Sequence, residues 1–472
     1  MADGAPMPQS AVPASRGAAA GRLRMRALIE GPIGPTLIRL SLPNIAMSIV
    51  STSAIVLDAF YVGRLGVAPL AALALVFPIQ TLMQMISSGA MGGGVASAVA
   101  RALGAGDVAR AERVVMHSLV IALAFALLFT ILFGLFARPI FALLGGRGMA
   151  LDGAVDYATI IFGGSAILFM TNTFASILRG TGNMAVPALS LIGTALLGMA
   201  LSGALTLGWF GLPGLGVKGP AIAAIAVSAI AGAIMFAYLA SGAAGLHLRL
   251  RRADIRFSRA IFNDILKVGL VASGNATLTI ITIIVVTGLV GRYGTEALAG
   301  YGLGSRLELI LIPIAYGIGG ALTAMVGASF GAKRYARARR AAFAGAAVVF
   351  LAAALLGGAV AIHPDLWIGL FTTDPGATEI GRRYLHIAGP CYAFFAAGMT
   401  LYFASQGTGS MLWPFTAGVV RFAVAAGGGA LGALAFAGTL ESLFACVAAG
   451  LALFGGIVAW SLRSRVWNPQ KV

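Results

Sequence analysis

Long stretches of uncharged, mostly apolar residues recur along the whole chain, and they restrict its fold more than any other feature. Each is long enough for at least one membrane-crossing helix, which needs about 20 residues. The stretches are 65–100, 118–137, 157–178, 180–217, 219–246, 268–291, 309–332, 341–362, 384–420 and 442–462. Charged residues make up only 10% of the chain and the mean hydropathy is +0.95, whereas soluble domains contain about 25% charged residues. The chain is therefore predicted to be an all-α membrane protein.

Two of the stretches are too long for one crossing, and both contain turn signals. These signals are Gly-Leu-Pro-Gly-Leu-Gly at 211–216 and Gln-Gly-Thr-Gly at 406–409. Dividing the stretches there predicts twelve transmembrane helices. They are placed at 36–63, 70–100, 114–138, 155–178, 186–209, 219–241, 265–291, 296–328, 340–362, 380–404, 411–436 and 441–462.

The net charge of +17 does not indicate nucleic-acid binding, because the basic residues are not gathered on one soluble domain. They lie in every second loop between the predicted helices and at the two ends. The bases are Arg22, Arg24, Arg26, Arg101, Arg110, Arg113, Arg179, Arg249, Arg251, Arg252, Arg256, Arg259, Lys333, Arg334, Arg337, Arg339, Arg340, Arg463, Arg465 and Lys471. Loops rich in Lys and Arg stay in the cytoplasm. We therefore expect a multi-pass protein of the bacterial inner membrane with both termini cytoplasmic, surrounded by lipid and without a nucleic-acid partner.

Composition also divides the chain into segments. Residues 1–21 are rich in Pro and Ala and lack the apolar core of a signal peptide, which predicts a disordered tail. The predicted segments are a disordered cytoplasmic tail over 1–30, a first lobe over 31–244, a cytoplasmic linker over 245–264, a second lobe over 265–463 and a cytoplasmic tail over 464–472.

The cysteines and histidines give no sign of covalent or metal chemistry. Cys391 and Cys446 fall within predicted spans, and the four histidines have no metal-ligand spacing. We expect no disulfide, no metal, no cofactor and no enzymatic activity.

The second half of the chain repeats motifs of the first half about 228 residues later. Val-Gly-Arg-Leu-Gly at 62–66 returns as Val-Gly-Arg-Tyr-Gly at 290–294, and Gly-Thr-Gly-Asn-Met at 180–184 returns as Gly-Thr-Gly-Ser-Met at 407–411. With six helices in each half, the two repeats have the same orientation in the membrane. Two similar lobes beside a central cleft are a common plan of transporters. A receptor or assembly scaffold without transport activity is the alternative that repetition alone leaves open.

Several short strings, in their order and helix placement, carry a resemblance to a known family. They are Pro43 fifteen positions before Asp58, then Asp58-x-x-x-Val62-Gly63-x-Leu65-Gly66, Gly104-Ala105-Gly106-Asp107, Leu178-Arg179-Gly180-x-Gly182 and Tyr301-Gly302-x-x-Ser305-Arg306-Leu307-Glu308. Over residues 35–462 the sequence resembles the MATE (multidrug and toxin extrusion) family, and within it the DinF-like branch. The Gly-x-x-x-Asp-Arg-x-Gly-Arg type of string that the major facilitator class carries between helices 2 and 3 is absent.

The resemblance implies a V-shaped MATE-type transporter with two parallel six-helix lobes. Such a protein alternates between outward-open and inward-open states, and ion entry drives the export of small organic, often cationic or amphipathic, compounds. We expect a proton-coupled multidrug antiporter that acts as a monomer. Sodium coupling is less expected, because sodium-coupled relatives have acids in helices 7 and 10 where this chain has Thr279 and Phe395.

Asp58 is the predicted proton-coupling residue. A carboxylate inside an apolar helix is costly in its charged form, so it would take up a proton and release it when its surroundings change. The alternative is that Asp58 only caps helix 1 or pairs with Arg64. The DinF-like pattern has an Asn and an Asp in helix 5, whereas this chain has Gly198 and Ser202 there. Ser202 is the proposed hydroxyl partner of Asp58.

A substrate pocket is expected near Asp58, and its candidate lining residues are polar, aromatic or flexible. Asn172 occupies a pocket position by resemblance, although an Asn between helices is equally consistent with a helix–helix hydrogen bond. Flexible Met and aromatic side chains suit lipophilic cations, but the same residues also occur in cores and against lipid. Besides Asn172 and Ser202, the candidates are Tyr157, Phe77, Met83, Met85, Phe162, Met170, Tyr301, Tyr392 and Met399.

Two further features concern helix bending and charge in the second lobe. Pro43 removes a backbone donor, so it is predicted to be a hinge of helix 1, with a fixed kink as the alternative. Arg421 lies deep in helix 11 and needs a partner, for which we propose Glu308 as a structural bridge or a second charge switch. Arg306 and Arg421 also keep open a flippase for lipid-linked sugars or polyprenyl lipids, which would need cations to hold phosphates.

Overall fold

A computed structural model describes residues 16–246, 257–372, 374–435 and 438–469, and within these ranges the regular structure is helical. Twelve segments are long and apolar enough to cross a membrane, when a bent pair is counted as one. They are α1 (Ile33–Gly63), α2 (Val67–Gly104), α3 (Val108–Leu143), α4 (Gly148–Gly163 and Ser165–Gly180), α5 (Ala185–Leu207), α6 (Lys218–Ala240), α7 (Arg259–Gly291), α8 (Thr295–Gly331), α9 (Tyr335–Ile362), α10 (Pro375–Thr408), α11 (Leu412–Ala433) and α12 (Leu440–Ser461). Helices satisfy their own backbone hydrogen bonds, which lipid cannot do. The all-α, twelve-helix prediction is confirmed.

Some predicted boundaries were wrong. α7 begins at Arg259 rather than at 265, so the predicted linker over 245–264 ends in helix. The rest of that linker, 247–256, lies outside the described residues. α4 is not one straight helix, because its two parts meet at Gly164 with a bend of 48°.

A further helix, the amino-terminal helix, spans Arg16–Glu30 and corrects the prediction of disorder for that part of the 1–30 segment. Arg337, at the start of α9, donates to the carbonyl oxygens of Leu28 and Gly31. A hydrogen bond from Arg26, with help from Arg334, holds the pKa of the Glu30 carboxyl below its usual value. The helix is therefore attached to the loop between α8 and α9.

The helices surround two hydrophobic cores, one built mainly from α2, α3, α4 and α6 and the other mainly from α7–α12. The name N-lobe is used below for α1–α6 and the name C-lobe for α7–α12. Some residues cross this division: Leu37 of α1 and Ala90 of α2 pack in the C-lobe core, and Ile265 of α7 packs in the N-lobe core. Large apolar side chains such as Leu127 of α3 and Leu355 of α9 point outward and are exposed. They form the surface that a bilayer would cover.

The lobes meet tightly at the end of the molecule that carries the amino-terminal helix and Trp467. A Cβ atom at Gly104 of α2 would collide with the carbonyl oxygen of Ala328 in α8, so glycine is required for this approach of backbones. Arg101 donates to the carbonyl oxygens of Gln406 and Gly407 at 3.3 Å, which ties α2 to the end of α10. This end of the molecule is closed.

Candidate functional site

A cavity of about 930 Å³ lies between the lobes, away from the closed end. Its N-lobe wall comes from α1, α2, α4, α5 and α6, and its C-lobe wall comes from α7, α8 and α10. The lining is mostly apolar and aromatic, with polar side chains at a few places. This combination is typical of small-molecule sites.

Asp58 of α1 lines the N-lobe wall and is the only carboxylate among the lining residues. The Ser202 hydroxyl, from α5, donates to Asp58 Oδ1 at 2.5 Å. Ser202 is buried, whereas Asp58 is only partly buried because one side of it faces the cavity. The carboxylate is therefore held by one hydroxyl and is open to a proton or a ligand in the cavity. Neither Arg64 nor another base forms an ion pair with it among the described residues.

Two glutamines of α2 carry the other polar groups of the N-lobe wall. Gln80 accepts a hydrogen bond of 3.1 Å from the Tyr157 hydroxyl. Gln84 lies 3.5 Å from the Asn172 amide, which also donates to the Ser87 hydroxyl at 2.9 Å. Ser87 belongs to a π-helical turn, Met85–Met91, in which the usual hydrogen-bond ladder is widened. Such turns are frequent at functional sites.

The predicted pocket residues divide into those that line the cavity and those that do not. Asn172 is one layer behind the wall, and Met170 packs against the N-lobe core. Tyr301 is buried in the C-lobe, with its ring 5.2 Å from that of Tyr384. The candidates on the wall are Phe77, Met83, Met85, Tyr157, Ser202 and Met399, while Phe162 and Tyr392 are buried in the cores.

The predicted pocket residues did not include Gln80, Gln84 or Asn275, and Arg306 was predicted only as a possible phosphate-binding residue. Gln80 and Gln84 are four residues apart in an apolar helix, a spacing that puts both amides on one face. That polar pair was the signal that could have identified this wall. Asn275 of α7 lines the opposite wall, and its Oδ1 atom is buried without a hydrogen-bond partner.

Glu308 and Arg421 lie in the C-lobe, close enough to interact electrostatically, but they form no direct ion pair. Glu308 accepts a hydrogen bond of 3.2 Å from the Tyr384 hydroxyl. The Arg421 guanidinium stacks 4.7 Å from the centre of the Phe395 ring. Arg421 is buried and does not line the cavity.

Arg179, at the end of α4, connects the lobes beneath the cavity. It donates to the hydroxyl of Tyr316 in α8 at 3.1 Å, and Tyr316 itself lines the cavity. The guanidinium is buried and has no acidic partner among the described residues. It therefore depends on the present contact between the lobes. Pro43 lies within α1, which continues through it as one helix.

No three His, Cys, Asp or Glu side chains come together as a metal site in the part of the chain that the structure describes. The cavity has one acid, one base and several amides and hydroxyls. This arrangement can bind and exchange protons and organic ions.

Comparisons with known proteins agree with this architecture. The family model described as MatE matches residues 43–202 and 271–431, more than half of the chain. The FAD transporter of Shewanella oneidensis is 26% identical over 388 residues, which cover 80% of this chain and 82% of that protein. The probable multidrug resistance protein YoeA of Bacillus subtilis is 26% identical over 355 residues, 75% of this chain and 76% of that protein.

Solved structures show the same fold. An outward-facing multidrug resistance MATE family transporter of the MOP superfamily aligns with a TM-score of 0.83 and 23% identity, covering 94% of this chain and 98% of that chain. A MOP superfamily transporter from Pyrococcus furiosus aligns with a TM-score of 0.86 and 23% identity, covering 98% and 100%. At this identity the likeness concerns the fold.

Proposed function

This chain belongs to the MATE family of membrane transporters, and from that premise we propose that it is a proton-coupled antiporter that exports small organic, cationic or amphipathic compounds by alternating access. Family members move molecules across membranes rather than convert them. The chain is accordingly a multi-pass membrane transporter and not an enzyme.

The observation that carries the proposal is the position of Asp58. It is the only carboxylate among the residues lining the cavity, and its second oxygen is free of the Ser202 hydrogen bond. A cation and a proton would compete for this carboxylate, because each neutralises the same charge. Proton uptake from outside would therefore release a bound cation, and proton loss to the cytoplasm would prepare the site for the next one.

The direction of export follows from the proposed orientation. Among the described residues, the basic loops around 101–113 and 333–340 lie at the closed end beside the amino-terminal helix, and the positive-inside rule assigns such loops to the cytoplasm. The cavity would then be closed toward the cytoplasm in this conformation. In a bacterium the membrane would be the inner one, and we expect a monomer.

Protons are favoured over sodium because acidic ligands are scarce in the C-lobe wall. Thr279 lines the cavity and Phe395 stacks on Arg421, so neither offers a carboxylate. Sodium ions prefer several oxygen ligands of which some are charged, in the manner of other hard cations. Assignment to the DinF-like branch remains a prediction that rests on the sequence strings.

The flippase alternative is less favoured by the cavity. Holding a lipid diphosphate would require several cationic side chains on the walls. Among the described residues, Arg306 is the only cationic side chain that lines the cavity. Arg421 is covered by Phe395 and does not reach it. For Glu308 and Arg421 we therefore propose a structural role within the C-lobe, and for Pro43 a hinge role in α1.

The test is ethidium uptake by proteoliposomes with an imposed ion gradient. Ethidium carries a permanent positive charge, so it does not follow a pH gradient by itself. We expect an acid interior to drive uptake, collapse of the pH gradient by nigericin to abolish it, and a sodium gradient to have no effect. Uptake that follows sodium and ignores pH would overturn the proton assignment.

A further inference from the structure

A second crevice lies on the outer surface of the C-lobe, between the start of α11 and the second half of α12. It has a volume of about 300 Å³ and shares no lining residue with the cavity between the lobes. Its walls are apolar or aromatic. The lining residues are Trp413, Ala452, Leu453, Gly456, Ile457 and Trp460.

The crevice exists because Gly456 has no side chain. The lining residues of α12 have the spacing of one helix face, and Gly456 lies in the middle of that face. A Cβ atom at Gly456 would contact no atom of the surrounding protein within 4 Å. Leu453 and Trp460, on either side of it along α12, are both exposed. In a membrane an apolar group must fill this space, because water there would lack hydrogen-bond partners.

The length of the crevice matches one leaflet of a bilayer. From Ala452 to Trp460 the helix rises about 12 Å, and the hydrocarbon of one leaflet is about 15 Å deep. Trp413 lies in the first turn of α11 and Trp460 in the last turn of α12. Tryptophan is enriched where hydrocarbon meets the lipid head groups. The crevice therefore lies at the depth of acyl chains, and its mouth lies at the level of the head groups.

A basic side chain lies at this mouth. The guanidinium carbon of Arg463 is 4.8 Å from the centre of the Trp460 ring, a cation–π contact that holds it beside the crevice. Arg463 is exposed, and no carboxylate forms an ion pair with it in the described part of the chain. Arg465 is exposed as well. The donors of Arg463 are thus available to an anionic group at the membrane surface.

We propose that this crevice binds an anionic phospholipid, with one acyl chain along Gly456 and the phosphate on Arg463. A guanidinium group binds phosphate through charge-assisted hydrogen bonds. Basic sites beside transmembrane helices are known to bind anionic head groups. A zwitterionic lipid also carries an ammonium group, which the two arginines repel. The proposal does not depend on the antiport function.

A second copy of the chain fits this face less well than a lipid. A stable protein interface covers about 800 Å² on each partner, much more than a narrow crevice offers. In a symmetric dimer the same surface of both copies meets. Arg463 and Arg465 of the two copies would then come together and repel each other.

The experiment is native mass spectrometry of the purified full-length protein in detergent, which counts bound lipids. Dioleoyl phosphatidylglycerol and dioleoyl phosphatidylcholine have the same acyl chains and are titrated separately. We expect the wild type to bind the first phosphatidylglycerol about fivefold more tightly than the first phosphatidylcholine, the effect of one arginine near the membrane surface. Equal binding of the two lipids overturns the proposal. A dimer of the chain in place of a lipid adduct also overturns it, because the crevice would then belong to a second copy.

The variant Arg463→Gln assigns the preference to the mouth of the crevice. It should weaken binding of phosphatidylglycerol about fivefold and leave binding of phosphatidylcholine unchanged. Arg340→Gln is the matched control, because Arg340 is an exposed arginine in the first turns of α9 that does not line the crevice. Equal losses in the two variants would show attraction by net charge alone, and the proposal would be wrong.

The variant Gly456→Leu places a side chain in the crevice and should weaken binding of both lipids severalfold. Gly134→Leu is its control, because Gly134 is an exposed glycine of α3 whose Cβ atom would likewise meet free space. Both variants should keep the midpoint of heat unfolding of the wild type in the absence of added lipid, which shows that they are folded. If Gly456→Leu binds phosphatidylglycerol like the wild type, the acyl chain does not lie in the crevice and the proposal fails.

Discussion

Replacing Asp58 with Asn should separate substrate binding from proton coupling. The amide has the same shape as the carboxylic acid, and its oxygen can still accept the hydrogen bond that Ser202 donates to Asp58. The fold around α1 and α5 should therefore remain. The group that exchanges a proton is lost, and no other carboxylate lines the cavity in the described part of the chain to replace it.

The expected accumulation of ethidium by the wild type follows from the single carboxylate that lines the cavity. One acidic group allows one proton per cycle, and each pH unit across the membrane is worth about 1.4 kcal/mol per proton. Exchange of one proton for one monovalent cation then sustains an accumulation of about tenfold per pH unit. In the variant the inside-to-outside ratio of free ethidium should fall to about one whatever the gradient.

The assay uses proteoliposomes with an acid interior, a fixed pH difference and ethidium fluorescence after equilibration. Asp156→Asn is the control for the loss of a carboxylate, because Asp156 is half-exposed, pairs with Lys218 at 3.2 Å and does not line the cavity. That variant should behave like the wild type. Accumulation by Asp58→Asn equal to that of the wild type would show that Asp58 does not couple protons to transport.

Two further predictions concern the closed end. Arg101→Ala should lower the free energy of unfolding by roughly 2–3 kcal/mol, seen as a lower midpoint of heat unfolding, because Arg101 is mostly buried and joins Asp264 to the end of α10. Arg110→Ala removes a more exposed partner of Asp264 and should cost less than about 1 kcal/mol. Equal effects of the two variants would contradict the difference in burial between the two arginines. Gly104→Ala should separate α2 from α8, so that distances between labels placed on the two lobes increase at this end of the molecule. Gly134→Ala is the control, because a Cβ atom there meets free space, and it should leave the distances unchanged. Unchanged distances in both variants would contradict the close packing of α2 and α8.

Much of the fold could be predicted from the lengths of the uncharged stretches. Lipid allows few alternatives to a helix, so stretch length alone predicts the number of spans. Stretch length does not predict the end of a helix correctly where the helix contains charges that are paired inside the protein. α7 continues back to Arg259 because Asp264 lies 2.9 Å from Arg101, and a charge so compensated does not interrupt the helix.

The site was only partly predictable. Asp58 stands out because it is an acid in an apolar helix, and Ser202 stands out because it replaces an acid that the family pattern has. Tyr301 and Met170 were expected on the cavity wall but pack in the lobes. In a helix that is apolar all round, the sequence does not say which face meets lipid, core or cavity. That rotation is set by packing between helices.

We propose that a proton and a substrate exchange at Asp58. Isothermal titration calorimetry of ethidium binding, repeated in buffers with different ionisation enthalpies, counts the protons released when the substrate binds. We expect the release of up to one proton per bound ethidium by the wild type under mildly acidic conditions, and none by Asp58→Asn. Binding by the wild type without proton release, or undiminished release by the variant, would contradict it.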